Sequence, residues 1–178
     1  MPHARRAAIL LDLACTAAEI PLCIGYAGNG GYTCHHPEGT RAFERESPVI
    51  WLRDWRTPAA AEGPRALLAG MYGDSGDECY SACLTLAQAQ LAERPERTKV
   101  IIYLLDGRPT DEPAAQVRAT VERVRRSGTI VIGLFVGDQG QIRHLQEIFG
   151  ADDTIGMAAL SALPERLGRV LLRYAKRR

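Results

Sequence analysis

The stretch that most constrains the fold is an unbroken apolar run that ends in a carboxylate. Residues 100–105 are Val-Ile-Ile-Tyr-Leu-Leu, and Asp106 and Gly107 follow directly. Such a run is typical of a strand buried on both faces of a parallel sheet. We therefore predict a strand over residues 99–105. Ligands bind in the crevice beyond such strand ends, so Asp106 is a candidate site residue, although Asp-Gly also forms simple turns.

The rest of the chain alternates between helical and strand patterns. Apolar residues at spacings of three and four predict helices over residues 4–20, 79–93, 113–127, 141–149 and 161–176. Short apolar runs predict further strands over residues 22–27, 49–52, 129–136 and 153–157. This order predicts an α/β fold, with a doubly wound, mostly parallel sheet that carries helices on both faces. Residues 1–178 are expected to form a single domain.

Composition and charge exclude several classes of function. The net charge of +1 provides no electrostatic basis for binding nucleic acid. No apolar run approaches the ~18 residues of a membrane span, so we expect no membrane partner. The odd number of cysteines, five at irregular spacing, suits a reducing compartment better than a disulfide framework. The expected location is the cytoplasm.

A second acidic segment precedes the predicted helix at residues 79–93. It contains Asp74, Ser75, Asp77 and Glu78. Carboxylates near a helix N-terminus are stabilised by the helix dipole, so capping is one interpretation. Ligation by the same carboxylates is the other.

The segments above resemble the von Willebrand factor A (vWA) domain family. The strand followed by Asp106-Gly-Arg-Pro-Thr-Asp111 is similar to that family's strand ending in Asp-Gly-x-Pro-x-Asp. Residues 91–97, Leu-Ala-Glu-Arg-Pro-Glu-Arg, resemble a segment of the bacterial group that includes the cobaltochelatase T subunit and the activators of nitric oxide reductase. The resemblance covers most of residues 5–175 and implies the same doubly wound fold.

The resemblance also implies a metal-ion-dependent adhesion site for Mg²⁺ or Mn²⁺. By position, Asp106 matches the strand aspartate of that site, and Asp77 matches the ligand of the second loop, with Glu78 as the one-residue alternative. Such cations take hard oxygen ligands and keep exchangeable positions. The residues that the resemblance assigns to partner-binding loops are Gly107, Thr110, Asp111, Asp74 and Ser75.

The chain departs from the family pattern at its beginning. A strand ending in Asp-x-Ser-x-Ser should precede the first helix, but this chain begins at that helix. Residues 12–16, Asp-Leu-Ala-Cys-Thr, are a possible degraded copy after a strand over residues 7–11, but they leave too few residues for a crossover helix. We therefore expect the first strand to be missing, which weakens the metal site and exposes a sheet edge. A homodimer with strand exchange, a partner chain, or an upstream extension of the natural protein would cover that edge.

These observations favour a noncatalytic protein-interaction module. Its partner, by resemblance, is an AAA+ ATPase of the MoxR type that acts in metal insertion or enzyme maturation. One alternative is an α/β enzyme or phospho-acceptor domain that uses Asp106 as a nucleophile. Against it, the chain has no dinucleotide-binding, Walker or nucleophile-elbow motif. A second alternative is a degenerate scaffold that binds no metal.

Overall fold

A computed structural model describes residues 2–27, 49–53, 55, 79–105, 112–136, 142–157 and 159–175 of the chain. The helices in these residues are α1 (Pro2–Ala17), α2 (Tyr80–Ala92), α3 (Ala114–Arg126), α4 (Ile142–Phe149) and α5 (Leu163–Ala175). The strands are β1 (Ile24–Ala27), β2 (Val49–Arg53), β3 (Lys99–Leu105), β4 (Thr129–Val136) and β5 (Thr154–Met157). Each predicted element is confirmed, with ends within three residues of the prediction.

The strands β3, β4 and β5 form a parallel sheet with β4 in the middle. Its register pairs Lys99 with Thr129 and Leu105 with Phe135, so β3 and β4 end at the same edge. Every residue of β4 is buried. The continuous apolar run at residues 129–136 thus has the expected physical cause, because helices cover both faces of this strand.

Alternate residues of the strands contribute to two cores, one on each face of the sheet. The first core joins buried residues of α2, α3 and α4 to Ile101, Tyr103 and Leu105 of β3. The second core joins residues of α1 and α5 to Ile130 and Ile132 of β4. The predicted doubly wound arrangement is therefore confirmed.

The strands β1 and β2 form a separate antiparallel pair. Among the described residues no ladder joins this pair to β3, so the single sheet predicted from the sequence is divided into two. Gly25 lies at an irregularity of β1, where a Cβ atom would be 2.5 Å from Cγ1 of Val49. The close approach of β2 therefore requires glycine at this position.

The end of α1 differs most from the prediction, which extended this helix to residue 20. Glu19 has a φ of 54°. The backbone N–H of Glu19 donates to the carbonyl of Thr16 at 3.2 Å, and that of Ile20 donates to the carbonyl of Cys15 at 2.8 Å. This pair of bonds closes the helix as a Schellman motif, in which a left-handed residue normally occupied by glycine ends the helix.

Polar side chains tie the elements together at the end of α3. Arg125 donates from Nη2 to the carbonyl oxygens of Val131 (2.8 Å) and Phe149 (2.7 Å), and it pairs with Asp153 at 3.0 Å. The hydroxyl of Tyr174 in α5 donates to Asp153 at 2.7 Å. Burial, with the hydrogen bond to Asp153, raises the pKa of Tyr174. The guanidinium of Arg125 thus joins the end of α3 to β4, to the end of α4 and to the turn before β5.

No helix in the described segments is long and apolar enough to cross a membrane.

Candidate functional site

All of the site residues predicted from the sequence lie outside the described residues. They are Asp74, Ser75, Asp77, Glu78, Asp106, Gly107, Thr110 and Asp111. The ligand assignments therefore stay predictions. The structure does describe Cys79, which follows the first segment, and Leu105 and Glu112, which lie before and after the second.

The carboxyl end of β3, which precedes the undescribed residues 106–111, is closely packed. Leu105 is buried at 4% exposure and belongs to the first core. Two residues earlier, the ring of Tyr103 lies 4.9 Å from the ring of Tyr80, the first residue of α2. Tyr103 also faces Phe149 at a centroid distance of 6.1 Å. Tilted aromatic rings in contact thus pack the end of β3 against the start of α2.

Glu112 is bonded to the first turn of α2. This residue follows the undescribed residues 106–111, and its Oε2 accepts a hydrogen bond of 2.9 Å from the backbone N–H of Ser81. Its Oε1 accepts from Sγ of Cys79 at 3.5 Å and from Nε2 of Gln116 at 3.3 Å. A carboxylate at a helix N-terminus satisfies a backbone donor and complements the helix dipole. The residue that follows segment 106–111 is therefore bonded to the start of α2, which follows segment 74–78.

The role of Glu112 was not predicted from the sequence. The only available signal was an acidic residue one position beyond a loop that was already suspected of carrying a site. Cys79, which precedes α2, makes no side-chain capping bond to the helix. The sequence could not show that the donor at Ser81 would be satisfied by a residue 31 positions away. The alternative that Asp77 or Glu78 also caps α2 stays a prediction.

Asp12 is part of an ion pair rather than of a ligand loop. It lies within α1, which runs without interruption from Pro2 to Ala17, so the alternative of a strand over residues 7–11 followed by a ligand loop is wrong. Its carboxylate accepts a short hydrogen bond from Nη1 of Arg53 in β2. The two side chains are 2% and 6% exposed, so the pair is buried.

The His, Cys, Asp and Glu side chains of the described residues do not come together as a metal site. No group of three or more His, Cys, Asp or Glu side chains in those residues is placed to hold a metal ion. Cys15, Cys23, Cys79 and Cys83 form no disulfide within the described residues. Cys79 and Cys83 are buried, with Cys83 in the first core, as expected for packing residues. Burial also raises the pKa of Cys15, against a smaller opposing effect of Arg53.

Comparison with known proteins finds a similarity that covers part of the chain. No protein-family model matches the chain. Over 109 residues the chain is 33% identical to Protein NorD of Brucella suis biovar 1 (strain 1330), a match that covers 57% of this chain. The same match covers 16% of that relative. The chain is thus similar to a small part of a much longer protein.

Proposed function

We propose that this chain is a noncatalytic, vWA-like interaction module that presents its partner surface at the edge where β3 and β4 end. The observation that carries the proposal is the bond between Glu112 and the backbone of Ser81, which joins the residue after segment 106–111 to the helix that follows segment 74–78. A surface for a partner needs loops held in a fixed relation by a rigid scaffold. The packing of Tyr80 on Tyr103 supplies that scaffold.

The proposed module includes a partial metal-ion-dependent adhesion site. Asp106 and Asp77, with Glu78 as an alternative to Asp77, would hold Mg²⁺ or Mn²⁺. A donor set of carboxylates from two loops suits such hard cations. When bound, the cation would supply an open position for a carboxylate of the partner protein. Gly107, Thr110, Asp111, Asp74 and Ser75 would surround that position.

The partner proposed is an AAA+ ATPase of the MoxR type, in metal insertion or enzyme maturation. Two observations support an accessory role of this kind. The first is the resemblance of residues 91–97 and of the Asp106 loop to the group that includes activators of nitric oxide reductase. The second is the 33% identity to Protein NorD over 109 residues. Because the chain spans 16% of that relative, the activity of the longer protein is carried over only as a proposal.

Calorimetric titration with MgCl₂ and MnCl₂ tests the metal site. We expect saturable heat with the unaltered chain, and its loss in Asp106→Ala and Asp77→Ala. Glu122→Gln is the matched control, because Glu122 is an exposed carboxylate of α3. The absence of heat in folded, unaltered protein would refute the metal site and favour the metal-free scaffold.

Capture of a purified MoxR-type ATPase tests the partner. Binding should require Mg²⁺ and should be lost in Asp106→Ala but not in Glu122→Gln. Binding that is equal with and without Mg²⁺ would contradict the metal-bridged interface. Stable incorporation of phosphate at Asp106 from acetyl phosphate would contradict the noncatalytic assignment, because an aspartate at a strand end can act as a nucleophile.

A further inference from the structure

The outer face of α1 is apolar where a surface helix is normally polar. In residues 7–18 the only charged or hydroxyl-bearing side chains are those of Asp12 and Thr16. Both are directed at β2, since Nη1 of Arg53 donates to the carboxylate of Asp12 and, at 3.3 Å, to Oγ1 of Thr16. Asp12 is 1% exposed. Within this segment, therefore, no polar side chain is left for the opposite face of the helix.

That opposite face consists of leucine and alanine. Leu10 and Leu13 are 44% and 45% exposed, and Ala14 and Ala17 are exposed as well. Because these four residues recur at spacings of three and four, they form one stripe along the helix. We call it the leucine–alanine stripe. A helix that is apolar on all sides is normally buried, and contiguous exposed apolar surface marks an interaction site.

The leucine–alanine stripe is complementary to an antiparallel copy of itself. Its four positions are symmetric about the point between residues 13 and 14, with leucine before that point and alanine after it. A two-fold axis through this point would place Leu10 of one copy opposite Ala17 of the other, and Leu13 opposite Ala14. Large side chains then fill the space that small ones leave, as in well-packed helix pairs. Two-fold contacts of this kind are the commonest in homo-oligomers.

The charges at the two ends of the stripe match in the same register. Arg6 lies one turn before Leu10, Glu19 follows the end of α1, and both are exposed. In the antiparallel pair, Arg6 of one copy comes within about 3 Å, measured along the helix axis, of the level of Glu19 in the other. The two-fold axis forms this contact twice, and the opposed helix dipoles also favour it. A parallel pair would instead place Arg6 beside Arg6.

We propose that the leucine–alanine stripe joins two copies of this chain as an antiparallel α1–α1 pair. No strand is exchanged, so this contact differs from the homodimer with strand exchange expected from the sequence. The paired segment is about 18 Å long, at roughly 1.5 Å per residue. Such a contact is smaller than the roughly 1,200–2,000 Å² of stable complexes, so we expect a weak dimer with a Kd on the order of 0.1 mM. The proposal depends on α1 and Glu19, and not on the proposed metal site or its partner.

Sedimentation equilibrium of the full 178-residue chain, from about 5 µM to about 1 mM, measures this self-association. Leu13→Glu brings two carboxylates together near the two-fold axis and should weaken the dimer roughly tenfold or more. The matched control is Leu172→Glu, the same change at a leucine of α5 that is 61% exposed, and it should leave the dimer unchanged. Because both leucines are exposed, each variant should stay folded, which circular dichroism at low concentration checks.

Charge reversal tests whether the pair is antiparallel and forms between chains. Arg6→Glu alone and Glu19→Arg alone each bring like charges together twice, so each homodimer should weaken roughly fivefold or more. An equimolar mixture of the two variants forms opposite-charge pairs at both ends. The mixture should therefore recover the affinity of the unaltered chain. Cover of the stripe by other residues of the same chain would not produce this recovery.

Three results would overturn the proposal. A chain that stays monomeric up to about 1 mM would show that no second copy covers the stripe, and other residues of the same chain would then be the occupant to test. A dimer that Leu13→Glu and Leu172→Glu weaken equally would lie on another surface. A mixture no tighter than its two components would exclude the antiparallel register. The metal titration with Asp106→Ala is a separate experiment, so either proposal can fail without the other.

Discussion

The buried ion pair between Asp12 and Arg53 allows the most direct test of the described fold. It joins α1 to β2 across 41 positions of sequence, with side chains 2% and 6% exposed. Nη1 of Arg53 also donates to Oγ1 of Thr16 at 3.3 Å. The change to make is Asp12→Asn, which keeps the size of the side chain and removes its charge. Arg53 would then remain buried without its counterion.

The expected loss follows from that burial. Removal of one partner of a buried pair costs roughly 3–5 kcal/mol, because the other charge stays desolvated. For a chain of this size, that loss lowers Tm by roughly 6–20 °C. Arg53→Met should cost a similar amount. The double change Asp12→Leu with Arg53→Met should recover most of it, since apolar replacement of a whole buried pair is often neutral or stabilising.

Urea denaturation followed by circular dichroism measures these changes. Asp12→Leu is included as a further single variant, so that Asp12→Leu, Arg53→Met and their combination form a double-mutant cycle. Glu165→Gln is the control, because Glu165 forms an ion pair with Arg169 in α5 whose side chains are 68% and 73% exposed. Glu165→Gln should change the free energy of unfolding by no more than about 1 kcal/mol. A loss for Asp12→Asn no larger than the control's would show that the pair is solvated, and the packing of α1 on β2 would then be refuted. Additive losses in the cycle would refute the pairing itself.

Three further predictions concern the rest of the described fold. A Cβ at Gly133 of β4 would lie 2.5 Å from the ring of Phe149, so Gly133→Ala should lower the free energy of unfolding by roughly 1–3 kcal/mol. Gly168→Ala, in open space within α5, should instead raise the free energy of unfolding by about 0.5–1 kcal/mol. Equal effects of the two changes in urea denaturation would contradict the close packing at Gly133. Arg125→Met should cost roughly 1.5–3 kcal/mol, because two backbone carbonyls lose a charged donor, and an unchanged urea midpoint would contradict this. Burial raises the pKa of Cys15 in the folded state. The protonated thiol therefore contributes to stability at neutral pH, and this contribution is lost as the pH rises above the pKa of an ordinary thiol, about 8.5. Cys15→Ala should therefore reduce the alkaline loss of Tm, and an unchanged pH profile would contradict it.

The sequence by itself determined the elements and the class of fold. Local spacing carries this information, since a run such as residues 130–136 leaves no polar position for a solvated face, and it proves to be buried throughout. The same reasoning placed Val117, Val121 and Val124 on the buried stripe of α3. It also located the ends of β3 and the start of α2, where the two candidate loops attach.

Tertiary structure alone decided how these elements are joined. The bond from Ser81 to Glu112 and the pair of Asp12 with Arg53 link residues 31 and 41 positions apart, and no local pattern distinguishes these acids from other surface carboxylates. The division of the described strands into two sheets likewise depends on long-range packing. Periodicity records which face of an element is buried, but it does not record which partner buries it, because many apolar surfaces satisfy the same face equally well.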